Sequence, residues 1–138
     1  MQKTLITRYI IHKTLKNLKN NNSSFDILFQ KINNTYKLEL RDKKFIHNVV
    51  LNTMRNHLAV KKIILNYTNK IKEDGDGYFL LLSSITQIVF LKFKDHGVVN
   101  STVELAKSKK LHVSHSFING VLRNIARDKA QLSKINFS

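Results

Sequence analysis

The 138-residue chain has no cysteine, no proline and no tryptophan, and its four glycines stand at 75, 77, 97 and 120. Without cysteine there is no disulfide framework, no thiolate nucleophile and no cysteine-based zinc site. Few breakers and long runs of Leu, Ile, Lys and Asn favour helices over a turn-dense sheet. Acidic residues are also scarce, nine against 24 Lys and Arg, for a formal net charge of +15. Such an excess attracts polyphosphate without regard to sequence, with an affinity that falls steeply with salt. Compositional drift toward Lys, Asn and Ile would enrich Glu as well, and Glu is scarce.

Other absences narrow the class further. The longest apolar run, Phe79 to Leu91, is 13 residues broken by Ser83, Ser84, Thr86 and Gln87. That is too short to cross a bilayer and reads as a buried helix. The opening MQKTLITRYIIHK has neither a long apolar run nor a small-residue cleavage site, so a cytoplasmic protein is expected, with no membrane partner. The six histidines form no metal pair with a third ligand nearby, and no phosphate-cradling glycine loop occurs. Glu73, Asp74 and Asp76 fall in one polar turn and not in a cleft, which argues against acid–base catalysis. The fragment Asp74-x-Asp76-Gly77 is similar to the start of a calcium loop but lacks the downstream glutamate. Neither a catalytic residue, a metal site nor a cofactor is expected in this chain.

What is present is helical periodicity. Thr4 to Lys19 predicts a first helix with Ile6, Ile10, Ile11, Leu15 and Leu18 on one side. Arg8, His12, Lys16 and Lys19 fall on the other as a positive stripe, and Tyr9 among them either stacks on a base or packs against a neighbouring helix. A serine of Ser23-Ser24 caps a short second helix whose Phe25, Leu28, Phe29 and Ile32 are read as core. A third helix is predicted over Glu39–Met54 and a fourth over Val60–Lys72. In the third, Arg41-Asp42 is read as two members of structural ion pairs. Tyr78–Lys92, apolar nearly all round, belongs at the centre of a bundle. Asp95-His96-Gly97 is read as a break before the sixth helix, with Ser101 and Glu104 at capping-box spacing. Ser114 caps the seventh, with Ile118, Val121, Leu122, Ile125 and Leu132 inward and Arg123, Arg127, Gln131 and Lys134 outward. The expectation is one all-α domain of about seven helices over residues 1–134. Residues 135–138 then form a loose tail or the start of a connector.

The C-terminal half is the most specific. Asn100-x-x-Val103-Glu104-Leu105-Ala106-Lys107, followed by Ser114-His115 and Phe117-Ile118-Asn119-Gly120-Val121-Leu122, resembles the last two helices of the NusB family of RNA-binding domains. The resemblance extends over almost the whole chain, and Asn119-Gly120 is expected to let the last helix lie close against a neighbour.

Two kinds of protein carry this domain, and the resemblance implies one or the other. The first is the free-standing antitermination factor, which binds boxA RNA together with the ribosomal protein NusE. The second is the RsmB-type (Fmu, Sun) small-subunit ribosomal RNA cytosine methyltransferase, where the domain precedes the catalytic one. Arg8-x-x-Ile11, Arg41-Asp42-x-x-Phe45, Thr53-Met54-Arg55, Gln87 and Arg123 resemble the enzyme. Ile11 and Asn52 replace its Ala and Gly, and Thr86 replaces the Tyr of its Tyr-Gln-Leu. The arginine-rich arm of the antiterminators is matched only by Lys3 and Arg8. An enzyme of that class would place S-adenosylmethionine in a separate domain, leaving this chain to engage ribosomal RNA. The phosphate-holding residues so nominated are Lys3, Arg8, His12, Lys16, Lys19, Arg123 and Arg127.

Overall fold

The computed structural model describes residues 3–21, 24–108 and 110–135, with the side chains at 3, 20 and 21 set aside. Seven α-helices follow one another: α1 (Lys3–Asn21), α2 (Phe25–Tyr36), α3 (Leu40–Arg55), α4 (His57–Tyr67), α5 (Asp76–Ile85), α6 (Asp95–Ala106) and α7 (His115–Leu132). The fold is all-α, as the periodicity predicts.

α5 is the axis of the bundle. Every residue from Asp76 to Ile85 is buried, and α1, α3, α4, α6 and α7 all pack on it. The polar side chains from Ser83 to Gln87 survive there by donating to carbonyls of the preceding turn. Ser84 Oγ donates to the Leu80 carbonyl at 2.6 Å, Thr86 Oγ1 to Leu82 at 2.8 Å, and Gln87 Nε2 to Ser83 at 3.1 Å. Such back-bonding removes the penalty of burying a hydroxyl in an apolar centre. From Thr86 to Phe90 the helix widens into a π turn, with the Leu91 N–H reaching back five residues to the Thr86 carbonyl at 2.9 Å. Lys92, at a φ of 57°, then ends it.

Several expected boundaries move. α4 stops at Tyr67, and Ile71 packs on the core from the following loop. Asp95-His96-Gly97 is the first turn of α6 and not a break; the chain turns earlier, where the Phe93 N–H bonds Gln87 at 2.8 Å. Ser101 is therefore inside α6 and caps nothing. Ser24 and Ser114 do cap α2 and α7, accepting from the N–H groups of Ile27 and Phe117. The second helix departs most from expectation. None of its residues is buried, because it leans on the outside of the bundle, with Phe25, Phe29 and Ile32 half-buried against the core.

The two glycines that matter are not equivalent. A Cβ on buried Gly77 would meet Val113 Cγ2 at 3.0 Å, so this position lets the α6–α7 loop sit directly on α5. Gly120 faces open space, and the close approach expected of it does not occur.

Candidate nucleic-acid interface

Helical spacing puts His12, Lys16 and Lys19 on one face of α1, and that face meets the start of α5, with His12 buried, Lys16 half-buried and Lys19 exposed at its edge. Asp76, in the first turn of α5, is buried there and accepts three bonds. His12 Nε2 lies at 3.1 Å, Lys16 Nζ at 2.9 Å and the His112 N–H at 2.8 Å. The solvated turn expected around Asp76 is thus corrected: the residue ties α1, α5 and the α6–α7 loop together. Burial alone pushes the Asp76 carboxyl up. The His112 N–H, Lys16 and His12 overcome it and bring the pKa down to about 2. His12 is 1% exposed, and desolvation lowers its pKa despite Asp76. It is a packing residue and not part of a solvent-facing stripe.

Lys19 is likewise engaged. It reaches Glu73 and Asp74 at 3.2 Å each, and Lys61 joins Glu73 at 2.9 Å. Desolvation works against the Lys19 ammonium, but the two carboxylates hold its pKa above the ordinary lysine value. Arg8 turns the other way. Its guanidinium lies over the Phe45 ring, 5.5 Å from the centroid, and its Nε is buried without a hydrogen-bond partner. Lys3 begins α1, but its side chain lies outside the described residues.

The open cations are one position further round α1. Lys13 is exposed, with its Nζ 5.8 Å from the Tyr9 ring, and Lys110 of the α6–α7 loop approaches the same ring at 5.2 Å. Tyr9, Lys13, Lys16, Asn17, Lys110 and His112 line a groove of about 380 Å³, with Asp76 and His12 at its floor. Of the two fates offered to Tyr9, packing is realised: it lies against the core, with part of its ring lining this groove. Sequence reasoning missed Lys13, Lys110 and the buried role of Asp76. The signal available for the lysines was their closeness to Tyr9 on the helix and to the Lys107–Lys110 basic run. Nothing in the local pattern around Asp76 distinguishes it from a solvated turn.

Arg123 and Arg127 are exposed on α7 and are held by their own helix, Arg123 Nε on Asn119 Oδ1 at 3.0 Å and Arg127 on Asn124 Oδ1. They border a polar trough between α6 and α7 to which Asn100, Lys107, His115 and Asn119 contribute. The motif of the last two helices therefore has two sides. Ile118, Val121 and Leu122 pack inward, while Asn100, Lys107 and Asn119 form this outer surface. The nominated residues do not converge in one patch. Among the described residues no helix is long and apolar enough to cross a membrane.

An all-α bundle around one buried helix, with a lysine- and tyrosine-lined groove on its first helix, defines a small helical domain with a cationic groove. The chain belongs to the NusB family, whose model matches residues 5–127. It is 28% identical over 130 residues to the "Probable ribosomal RNA small subunit methyltransferase B" of Bacillus subtilis (strain 168), covering 93% of this chain but 29% of that protein. It is 32% identical over 99 residues to the transcription antitermination protein NusB of Buchnera aphidicola subsp. Cinara cedri (strain Cc), covering 70% of each. In fold it matches T. maritima NusB at a TM-score of 0.76 and 18% identity, over 95% of this chain and 99% of that one. It also matches a chain from the crystal structure of a plectonemic RNA supercoil, at 0.80 and 20% identity, over 98% and 100%.

Proposed function

We propose that this chain is a non-catalytic RNA-binding domain that engages small-subunit ribosomal RNA for an S-adenosylmethionine-dependent cytosine-5 methyltransferase. The observation that carries RNA binding is the groove where the Lys13 and Lys110 ammonium groups both approach the Tyr9 ring, with Lys16 alongside. A ring face flanked by cations suits an unstacked base and its phosphates. In such an enzyme a cysteine thiolate adds to the base and the cofactor supplies the methyl group. This chain has no cysteine, so its own residues bind and orient the RNA, and the cofactor belongs to a separate domain. The likeness to the Bacillus methyltransferase over 93% of the chain supports that assignment. A domain that engages ribosomal RNA in this way would act in the cytoplasm.

The match to the Buchnera antiterminator supports a second reading, a free-standing NusB factor that binds boxA RNA with NusE. Filter binding to ribosomal RNA fragments at two salt concentrations tests the shared core of both, and affinity indifferent to salt refutes it. Co-purification with NusE and preference for a boxA sequence then select the antiterminator. A reading frame running past Ser138 into a cysteine-containing, cofactor-binding domain selects the enzyme.

A further inference from the structure

Arg8 neighbours Tyr9 in sequence but projects about 100° away around α1. It lines a separate cavity of about 280 Å³ with Thr4, Thr7, Arg41, Asp42 and Phe45. The wall of this cavity is a pile of flat groups. The Phe93 and Phe45 rings stack at 6.0 Å and 21°, and the Arg8 guanidinium lies over the Phe45 face. Burial works against the Arg8 charge, lowering its pKa. Among the described residues neither Arg8 nor Asp42 forms an ion pair, and Arg41 reaches only Glu39, at 3.9 Å. The structural ion pairs expected of Arg41-Asp42 are therefore reduced to one long, exposed contact. Arg8 of α1 and Asp42 and Phe45 of α3, which belong to the methyltransferase-like pattern, meet in this cavity.

The Asp42 carboxylate works against a simple phosphate seat beside Arg8 and Arg41. A planar group with N–H donors on one edge satisfies both walls. It can lie against the guanidinium, which stacks on flat π systems, and donate its edge to the carboxylate.

We infer that the Arg8–Asp42 cavity seats one unpaired guanine of a single-stranded RNA. This rests on the RNA-binding reading above and names the form of RNA that reading requires. Guanine presents two adjacent donors, N1–H and the N2 amino group, to the two acceptor oxygens of a carboxylate. Uracil presents one N–H between two carbonyls, which a carboxylate repels. In a duplex these edges are already paired, so only a splayed base can enter. A strand crossing α1 can place one base on Tyr9 and another against Arg8.

The test uses the full chain and two labelled hexamers, UUUUUU and UUGUUU, with anisotropy read at two salt concentrations. The guanine hexamer is expected to bind about tenfold tighter, the scale of one good bidentate base contact. Asp42→Asn should bring the two within about twofold, and Arg8→Lys, which keeps the charge but loses the flat fork, should also narrow the gap. On the unaltered chain, guanosine monophosphate should displace the label at lower concentration than uridine monophosphate, a readout independent of how well the variants fold. Equal affinity for the two hexamers with salt dependence intact overturns the guanine seat and leaves RNA binding standing. So does a guanine preference that Asp42→Asn leaves whole. Absence of salt-dependent binding to either hexamer overturns RNA binding itself, and the seat with it.

Discussion

Lys13 and Lys19 leave the same helix less than two turns apart and meet opposite surroundings. Lys19 enters a cluster with Lys61 in which Glu73 and Asp74 already answer its charge. Lys13 faces Tyr9 in a groove whose only carboxylate, Asp76, is committed to three other donors. A count of positive residues treats the two lysines alike. Their usefulness to a polyanion depends on which acidic residues the fold brings up beside them, and the nine acids of this chain are spent unevenly.

The largest expected effect comes from removing the acid that separates the two regions. Asp76→Ala strands the His112 N–H, the buried His12 ring and Lys16 at once. It should cost about 3 kcal/mol or more, the scale for breaking a buried charged network. Urea denaturation would show it, and a loss below about 1 kcal/mol would mean the network is not load-sharing in this way. Next is the contrast itself. Lys13→Ala with Lys110→Ala should lower the slope of log affinity against log salt by about 1.4 for single-stranded RNA. Lys19→Ala with Lys61→Ala should change it much less, because those ammonium groups are already neutralised. Equal changes in both pairs would erase the distinction.

The pH dependence is a finer probe. The Asp76 carboxyl sits at about 2 when folded, below its ordinary value near 3.9. Its contribution, on the order of 2 kcal/mol, is therefore complete above about pH 4 and lost as pH falls toward 2. His12, with its pKa lowered by burial, acts in the same direction. The unfolded chain takes up that proton first, so stability begins to fall below about pH 6.5. At the alkaline end, burial and the Asp128 carboxylate, 2.6 Å away, raise Tyr67 to about 12. The bond pinning α4 to α7 is then present below about pH 10 and lost as pH rises toward 12. Thermal melts across these ranges should show both flanks, and Tyr67→Phe should flatten the alkaline one. The smallest effect is at the caps: Ser24→Ala should cost about 1 kcal/mol, confined in hydrogen exchange to α2, which buries no residue.

Much of the architecture is written in the apolar spacing. The largely apolar stretch Phe79–Leu91 and the clean inward set on α7 state where those helices go, since burial follows directly from such patterns. The second helix misleads because four apolar residues at helical spacing show that a face exists and not how deeply it is covered. The site is less legible for a physical reason. A helical wheel gives the direction in which His12, Lys16 and Lys19 point but not what waits there, and the partner, Asp76, is 60 residues further along than Lys16. The Tyr9 groove likewise depends on Lys110 arriving from a loop that Gly77 allows to settle on α5.

The wide turn at Thr86–Phe90 holds one residue more than an ordinary helical turn would use. Removing that residue would let the rod run on as regular α-helix and deliver the next segment to nearly the same place, since a widened turn takes up its extra residue within itself. A residue added within Phe79–Ile85, where no wide turn takes it up, would instead rotate everything downstream by about 100°. Lys92–Lys94 would then launch α6 toward the wrong neighbour, and the hairpin bearing Lys110, Arg123 and Arg127 would go with it.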